Sequence, residues 1–100
     1  MRTKLKPQHP GTILNGVFLK PLELSENRLA MELRVPVTRI SAIVRGKRVI
    51  TVDTALRLAR YFGNDPAFWL NLQRDYDVGV AEQQSGSQIA RDVRPRESHD

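Results

Sequence analysis

The chain reads as an all-α domain of five helices, and three observations carry that reading. Apolar residues recur at helical spacing in successive stretches between His9 and Tyr76. Helix-starting chemistry (Ser25, Thr51, Asp65-Pro66) and helix-ending glycines (Gly46, Gly63) bracket those stretches. No segment keeps the period-2 alternation of a strand, and no internal repeat is present. One hundred residues, 40% of them hydrophobic and 27% charged, make one globular domain with a small core. There is no run of apolar residues long enough to span a bilayer, and the basic start lacks the apolar stretch of a signal peptide. The absence of cysteine excludes disulfides, thiolate chemistry and cysteine-held metals. The expected compartment is the cytoplasm.

Residues 1–8 are basic and poor in apolar side chains, and are expected to form an arm. His9-Pro10 opens the first helix, with proline near its first position, where the missing N–H is harmless. Ile13, Leu14, Val17 and Phe18 give it an inward face, and Pro21 is expected to end it. Ser25 caps the second helix, with Leu24 placed to staple onto Leu29. Leu29, Ala30 and Leu33 form its buried stripe, and Arg34-Val35-Pro36 stops it. The third helix runs from about Pro36 to Arg45, with Ile40, Ile43 and Val44 inward and Gly46 as its terminator. Thr51 caps a fourth helix carrying Val52, Ala55, Leu56, Ala59 and Phe62. Asp65-Pro66 opens a fifth, with Phe68, Trp69, Leu72 and Tyr76 on its apolar side. From Ser85 the chain turns polar and loses its period. Residues 9–84 are thus expected to be the folded domain and 85–100 a partly disordered, flexible tail.

Charge is unevenly placed. Between Arg34 and Val52 stand five basic residues (Arg34, Arg39, Arg45, Lys47 and Arg48) and no acid, while the remainder holds eleven charges of each sign. Such a patch fits a docked polyanion or a solvated face. Its position is informative. Ser25 to Gly46 has the proportions of a helix-turn-helix: two short helices joined by about three residues, the first capped and the second basic. Ala30 is small where the two helices cross, and Val35, Ile40 and Ile43 fix the second against the first. A generic helical hairpin would explain the apolar positions but not the acid-free second helix.

Residues 24–62 resemble the Cro/repressor type of helix-turn-helix domain, which implies a lambda-repressor-like bundle. A wider frame narrows the resemblance: His9-Pro10-Gly11-x-Ile13-Leu14, Leu22-x-Leu24-Ser25, Gly46-Lys47-Arg48-x-Ile50-Thr51 and Asp65-Pro66-x-Phe68-Trp69-Leu70-x-Leu72-Gln73. Together these are similar to the HigA (VapI-like) antitoxins over about residues 9–77. The resemblance implies an antitoxin that neutralises a HigB-type mRNA-cleaving toxin and represses its own operon. Two positions depart from the pattern. Arg34 stands where such domains usually carry glycine in a left-handed turn, a substitution costing about 1 kcal/mol, and Thr12 stands where Glu is frequent.

Carried over residue by residue, the resemblance places Val37, Thr38, Arg39 and Ala42 against base edges in the major groove. Arg39 can grip guanine O6 and N7 bidentately or hold a phosphate, Thr38 can bond a base edge, and Val37 and Ala42 can meet a thymine methyl. Ser25, Asn27, Ser41, Arg45, Lys47 and Arg48 suit phosphate contacts, which position a protein without specifying sequence. A single recognition helix covers few base pairs, so a two-fold homodimer on two half-sites about 34 Å apart is expected. Trp69, Leu72 and Tyr76 are the expected subunit contact, with core packing as their other role. The only histidines, His9 and His99, stand at opposite ends without a carboxylate at ligand spacing, so no metal, cofactor or catalytic site is expected. The expected partners are operator DNA, the toxin and a second copy, with no membrane. A stand-alone repressor without a toxin is the alternative reading.

Overall fold

Trp69, the largest side chain without any exposed surface, sits where the first, fourth and fifth helices meet. The structure is a computed structural model that describes residues 7–97. Of the expected arm it therefore includes only Pro7 and Gln8, and residues 1–6 and His99 lie outside the described residues. Among the described residues there are five helices. The first, α1, is continuous over 10–22 and has three parts: an α-helical turn Pro10–Ile13, a π-helical stretch Leu14–Leu19 and a last α-helical turn Lys20–Leu22. Then follow α2 (Glu26–Leu33), α3 (Val37–Val44), α4 (Val52–Phe62) and α5 (Pro66–Asp92).

The starts are set by the side chains the sequence offers. Ser25 Oγ accepts the Arg28 N–H at 3.0 Å, Thr51 Oγ1 that of Thr54 at 3.3 Å, and the Asp65 carboxylate that of Ala67 at 2.8 Å. His9 caps α1 through its ring, Nδ1 accepting the Gly11 N–H at 2.9 Å. Each bond satisfies a backbone donor that the helix itself leaves unpaired. Inside, Leu14, Leu29, Ile40, Ile43 and Leu58 are fully buried alongside Trp69. Burial of each such aliphatic side chain contributes roughly 1.5–3 kcal/mol. Phe18 and Phe62 stack near Trp69 at ring-centre distances of 4.9 and 6.1 Å, and the indole N–H donates to Asn64 Oδ1 at 2.9 Å.

Three expectations are corrected. Pro21 does not end α1, which continues to Leu22 and stops at left-handed Glu23 (φ 54°). In a regular α-helix the proline ring would press on the carbonyl four residues back. Here the preceding stretch is wound more widely, with the Lys20 N–H bonded to the Asn15 carbonyl five residues back. The fifth helix does not stop near Ser85 but runs to Asp92, with non-helical backbone only from Val93. Its last turns are nearly all exposed, so the lost apolar period marks the end of burial rather than of the helix. Trp69 belongs to the interior of its own chain, so it offers no surface to a second copy.

Candidate nucleic-acid interface

The helix-turn-helix unit is built from α2, the turn at 34–36 and α3. Arg34 adopts φ 61° and ψ 44°, the left-handed geometry that glycine usually supplies. The turn closes with the Val35 N–H on the Ala30 carbonyl at 3.0 Å, while Val35 packs on the core. Ala30 and Leu33 are buried beneath it, as the close crossing requires. At the other end of α3, Gly46 takes φ 75°, and the Lys47 N–H bonds the Ala42 carbonyl at 2.8 Å. That paired closure stops the helix and sends the basic loop away at a fixed angle.

Gly11 sets the seating of α3. A Cβ at this position would lie 1.8 Å from the Ile43 carbonyl oxygen, so only a hydrogen lets α1 approach so closely. The conformer of α3 that faces outward is therefore held from behind by backbone contact as well as by Ile40 and Ile43.

The outward face of α3 carries all four expected base readers. Val37 and Thr38 are exposed, Ala42 is half-buried, and Arg39 lies along the surface with its side chain 24% exposed. The expected phosphate contacts fall into two groups. Asn27, Lys47 and Arg48 are exposed, and Ser25 is exposed while serving as the cap of α2. Ser41 and Arg45 are already engaged: the Ser41 hydroxyl donates to Glu26 Oε1 at 2.7 Å and Arg45 Nη1 donates to the same oxygen at 3.3 Å.

Two acids that a count along the chain placed outside the basic stretch thus border it in space. Glu26 comes from α2. Asp53 comes from the first turn of α4, and its Oδ2 accepts from Arg39 Nη1 and from Arg57 Nε, both at 2.9 Å. Arg57 is anchored in turn by Nη1 donating to the Leu33 carbonyl at 2.8 Å. The Arg57 hydrogen bond first, and that of Arg39 second, hold the Asp53 carboxyl below the usual carboxylate range. The contact between Asp53 and Arg39 spans fourteen residues, and no local signal in the sequence announces it.

The loop that follows α3 is tied to α5. Gln73, 6% exposed, accepts the Ile50 N–H on Oε1 at 2.8 Å and donates from Nε2 to Asp77 at 2.9 Å. His9 adds a second tie, with its ring against Tyr76 at 5.0 Å and beside Gly46. Burial pushes the His9 pKa down, opposed by the charge of Asp77 and a hydrogen bond to the Arg48 backbone. Gln73 was legible as the last residue of the Phe-Trp-Leu-x-Leu-Gln stretch, but its role was not. Of the expected subunit contacts, Leu72 is half-buried against the core and Tyr76 half-buried against His9. The large apolar side chains that α5 does expose are Phe68, Val78 and Ile89. Among the described residues no cluster of His, Cys, Asp or Glu is placed to hold a metal, and no helix is long and apolar enough to cross a membrane.

Residues 18–69 match the family profile described as helix-turn-helix. The chain is 54% identical over 79 residues to virulence-associated protein I of Dichelobacter nodosus, covering 79% of this chain and 73% of that protein. It superposes with a TM-score of 0.89 on an addiction module antidote protein of the HigA family from Coxiella burnetii, 47% identical, over 92% of this chain and all of that one. It superposes equally well, at 0.89 and 40% identity, on the Pseudomonas aeruginosa antitoxin HigA solved with the higBA promoter, over 91% of this chain and 99% of that one.

Proposed function

Since the chain belongs to the helix-turn-helix family of HigA and VapI-type antitoxins, we propose that it binds its own operator as a two-fold dimer, represses transcription there, and neutralises a HigB-type toxin. The observation that carries this reading is the face of α3. Val37, Thr38 and Ala42 are presented outward with Arg39 beside them, on a helix backed by α1 and flanked by exposed Lys47 and Arg48. In this reading Val37, Thr38, Arg39 and Ala42 read base edges, while Ser25, Asn27, Ser41, Arg45, Lys47 and Arg48 hold phosphates. The relative from Pseudomonas aeruginosa, solved on promoter DNA, supports it.

One recognition helix gives too few base contacts for operator affinity, so a second copy supplies the other half-site. We assign the subunit contact to α5, through Leu72, Tyr76 and the exposed Phe68 and Val78, with Trp69 acting behind them in the core. The test is a titration of duplex DNA from upstream of the gene against a scrambled duplex at several salt concentrations. Operator binding tighter by about a thousandfold or more is the expected result, and equal binding of both duplexes would overturn the reading. Co-expression with a HigB-type toxin encoded beside the gene, where one is found, tests neutralisation. Growth rescue supports the antitoxin role, and its absence leaves a stand-alone repressor.

A further inference from the structure

Arg39 is the one base reader with a long flexible side chain, and it does not hang loose. Its Nη1 is bonded to Asp53 Oδ2, the same oxygen that accepts from Arg57, which is itself bonded to the last carbonyl of α2. The chain Leu33–Arg57–Asp53–Arg39 thus ties α2, α3 and α4 to one guanidinium. Asp53 keeps 56% of its side-chain surface in solvent, so the pair contributes little to stability, as exposed ion pairs do. A carboxylate beside a surface that must meet phosphates also opposes non-specific binding. Its placement at that spot therefore calls for a role other than holding the fold or attracting DNA.

Resting on the operator-binding reading above, we propose that Asp53 is a specificity-determining positioning residue that fixes the fork of Arg39 for guanine. Three consequences follow from the geometry. With Nη1 spending one hydrogen on Asp53, the Nε and Nη2 donors are left for guanine O6 and N7, the bidentate arrangement that discriminates guanine. A side chain already ordered loses less freedom on binding. The negative charge penalises any docking in which Arg39 merely meets a phosphate, so wrong sequences are disfavoured by repulsion as well as by missing bonds.

The full-length chain tests this. Wild type selects its best site from a pool of randomised duplexes, and preference at every base pair is then measured for wild type, Asp53→Asn, Asp53→Glu, Arg39→Ala and the Asp53→Asn/Arg39→Ala double variant. Melting curves come first, to establish that each variant is folded. Asp53→Asn is expected to bind scrambled duplex tighter, by about 3- to 10-fold, and to relax preference at one base pair per half-site. Asp53→Glu keeps the charge but displaces it, so it relaxes that preference without tightening scrambled binding. On the Arg39→Ala background Asp53→Asn changes no base preference. If Asp53→Asn leaves the preference intact, or alters it equally without Arg39, the inference is overturned while operator binding stands. A wild type that selects no site overturns both.

Discussion

Replacing Gly11 by alanine puts a methyl group 1.8 Å from the Ile43 carbonyl oxygen, 2.7 Å from its carbon and 3.0 Å from Val44 Cα. The oxygen must recede by over an ångström to reach even the 3.0 Å floor of real Cβ contacts. The obstacle is helix backbone, so α1 and α3 have to part as bodies, loosening Leu14, Ile40 and Ile43. Overpacking of this kind costs typically 1–3 kcal/mol, and a backbone obstacle belongs at the upper end, about 3. Against it stands a gain of about 0.5–1 kcal/mol for alanine over glycine within a helix. The net loss of about 2–2.5 kcal/mol corresponds to a fall in Tm of about 8–20 °C for a domain of this size. Gly16→Ala in the same helix is the matched control. Nothing lies within 4 Å of the position its Cβ would take, so only the helical gain applies and Tm should rise by a few degrees. Thermal melts followed by circular dichroism compare the two. A Gly11→Ala protein melting with or above Gly16→Ala would refute the idea that α3 is seated against the α1 backbone.

Gln73→Met removes the acceptor of the buried Ile50 N–H, and should cost about 1–3 kcal/mol in denaturant titration; an unchanged midpoint would mean that the N–H finds another partner. Burial lowers the His9 pKa in the folded chain below its ordinary value of 6.5, so the unfolded chain takes up the proton first. The His9 contribution is therefore complete above about pH 6.5 and lost as pH falls below it, when Nδ1 can no longer accept the Gly11 N–H. His9→Asn, which can still cap, should show a smaller fall in Tm between pH 7 and pH 5 than wild type. Truncation after Gln84 should leave melting and operator binding intact, because the residues of α5 beyond it are almost all exposed. Lys47→Ala should weaken operator and scrambled DNA alike and lower the salt slope by about two units for a dimer, whereas Arg39→Ala should cost roughly 1–3 kcal/mol on the operator only.

The parts of this fold that follow from neighbours in sequence were legible. Ser25, Thr51 and Asp65 cap the helices they precede, Gly46 ends α3, and Ile40 and Ile43 lie fully buried as their spacing requires. Arg34 takes the left-handed turn despite its side chain, because the closing bonds of α2 fix its backbone. What escaped the sequence depends on contacts made across the fold. Pro21 looked like a stop because nothing local signals the wider winding before it. Apolar spacing in the fifth helix was equally compatible with core and subunit contact, and only the positions of Phe18 and Phe62 decide that Trp69 is core. The candidate interface was legible as a basic, acid-free helix, yet Glu26 and Asp53 join it from fourteen or more residues away and engage three of its side chains. Charge counted along a chain gives the composition of a surface only where the fold brings in nothing else.

In the proposed complex α3 reads base edges in the major groove, twice per dimer. Methylation interference on the upstream duplex tests it most directly, since dimethyl sulfate marks guanine N7 in the major groove and adenine N3 in the minor groove. Guanine N7 methylation is expected to block binding at two symmetric clusters, separated by about one helical turn of 34 Å or a multiple of it. Interference by adenine N3 methylation alone, or at no defined position, would contradict it.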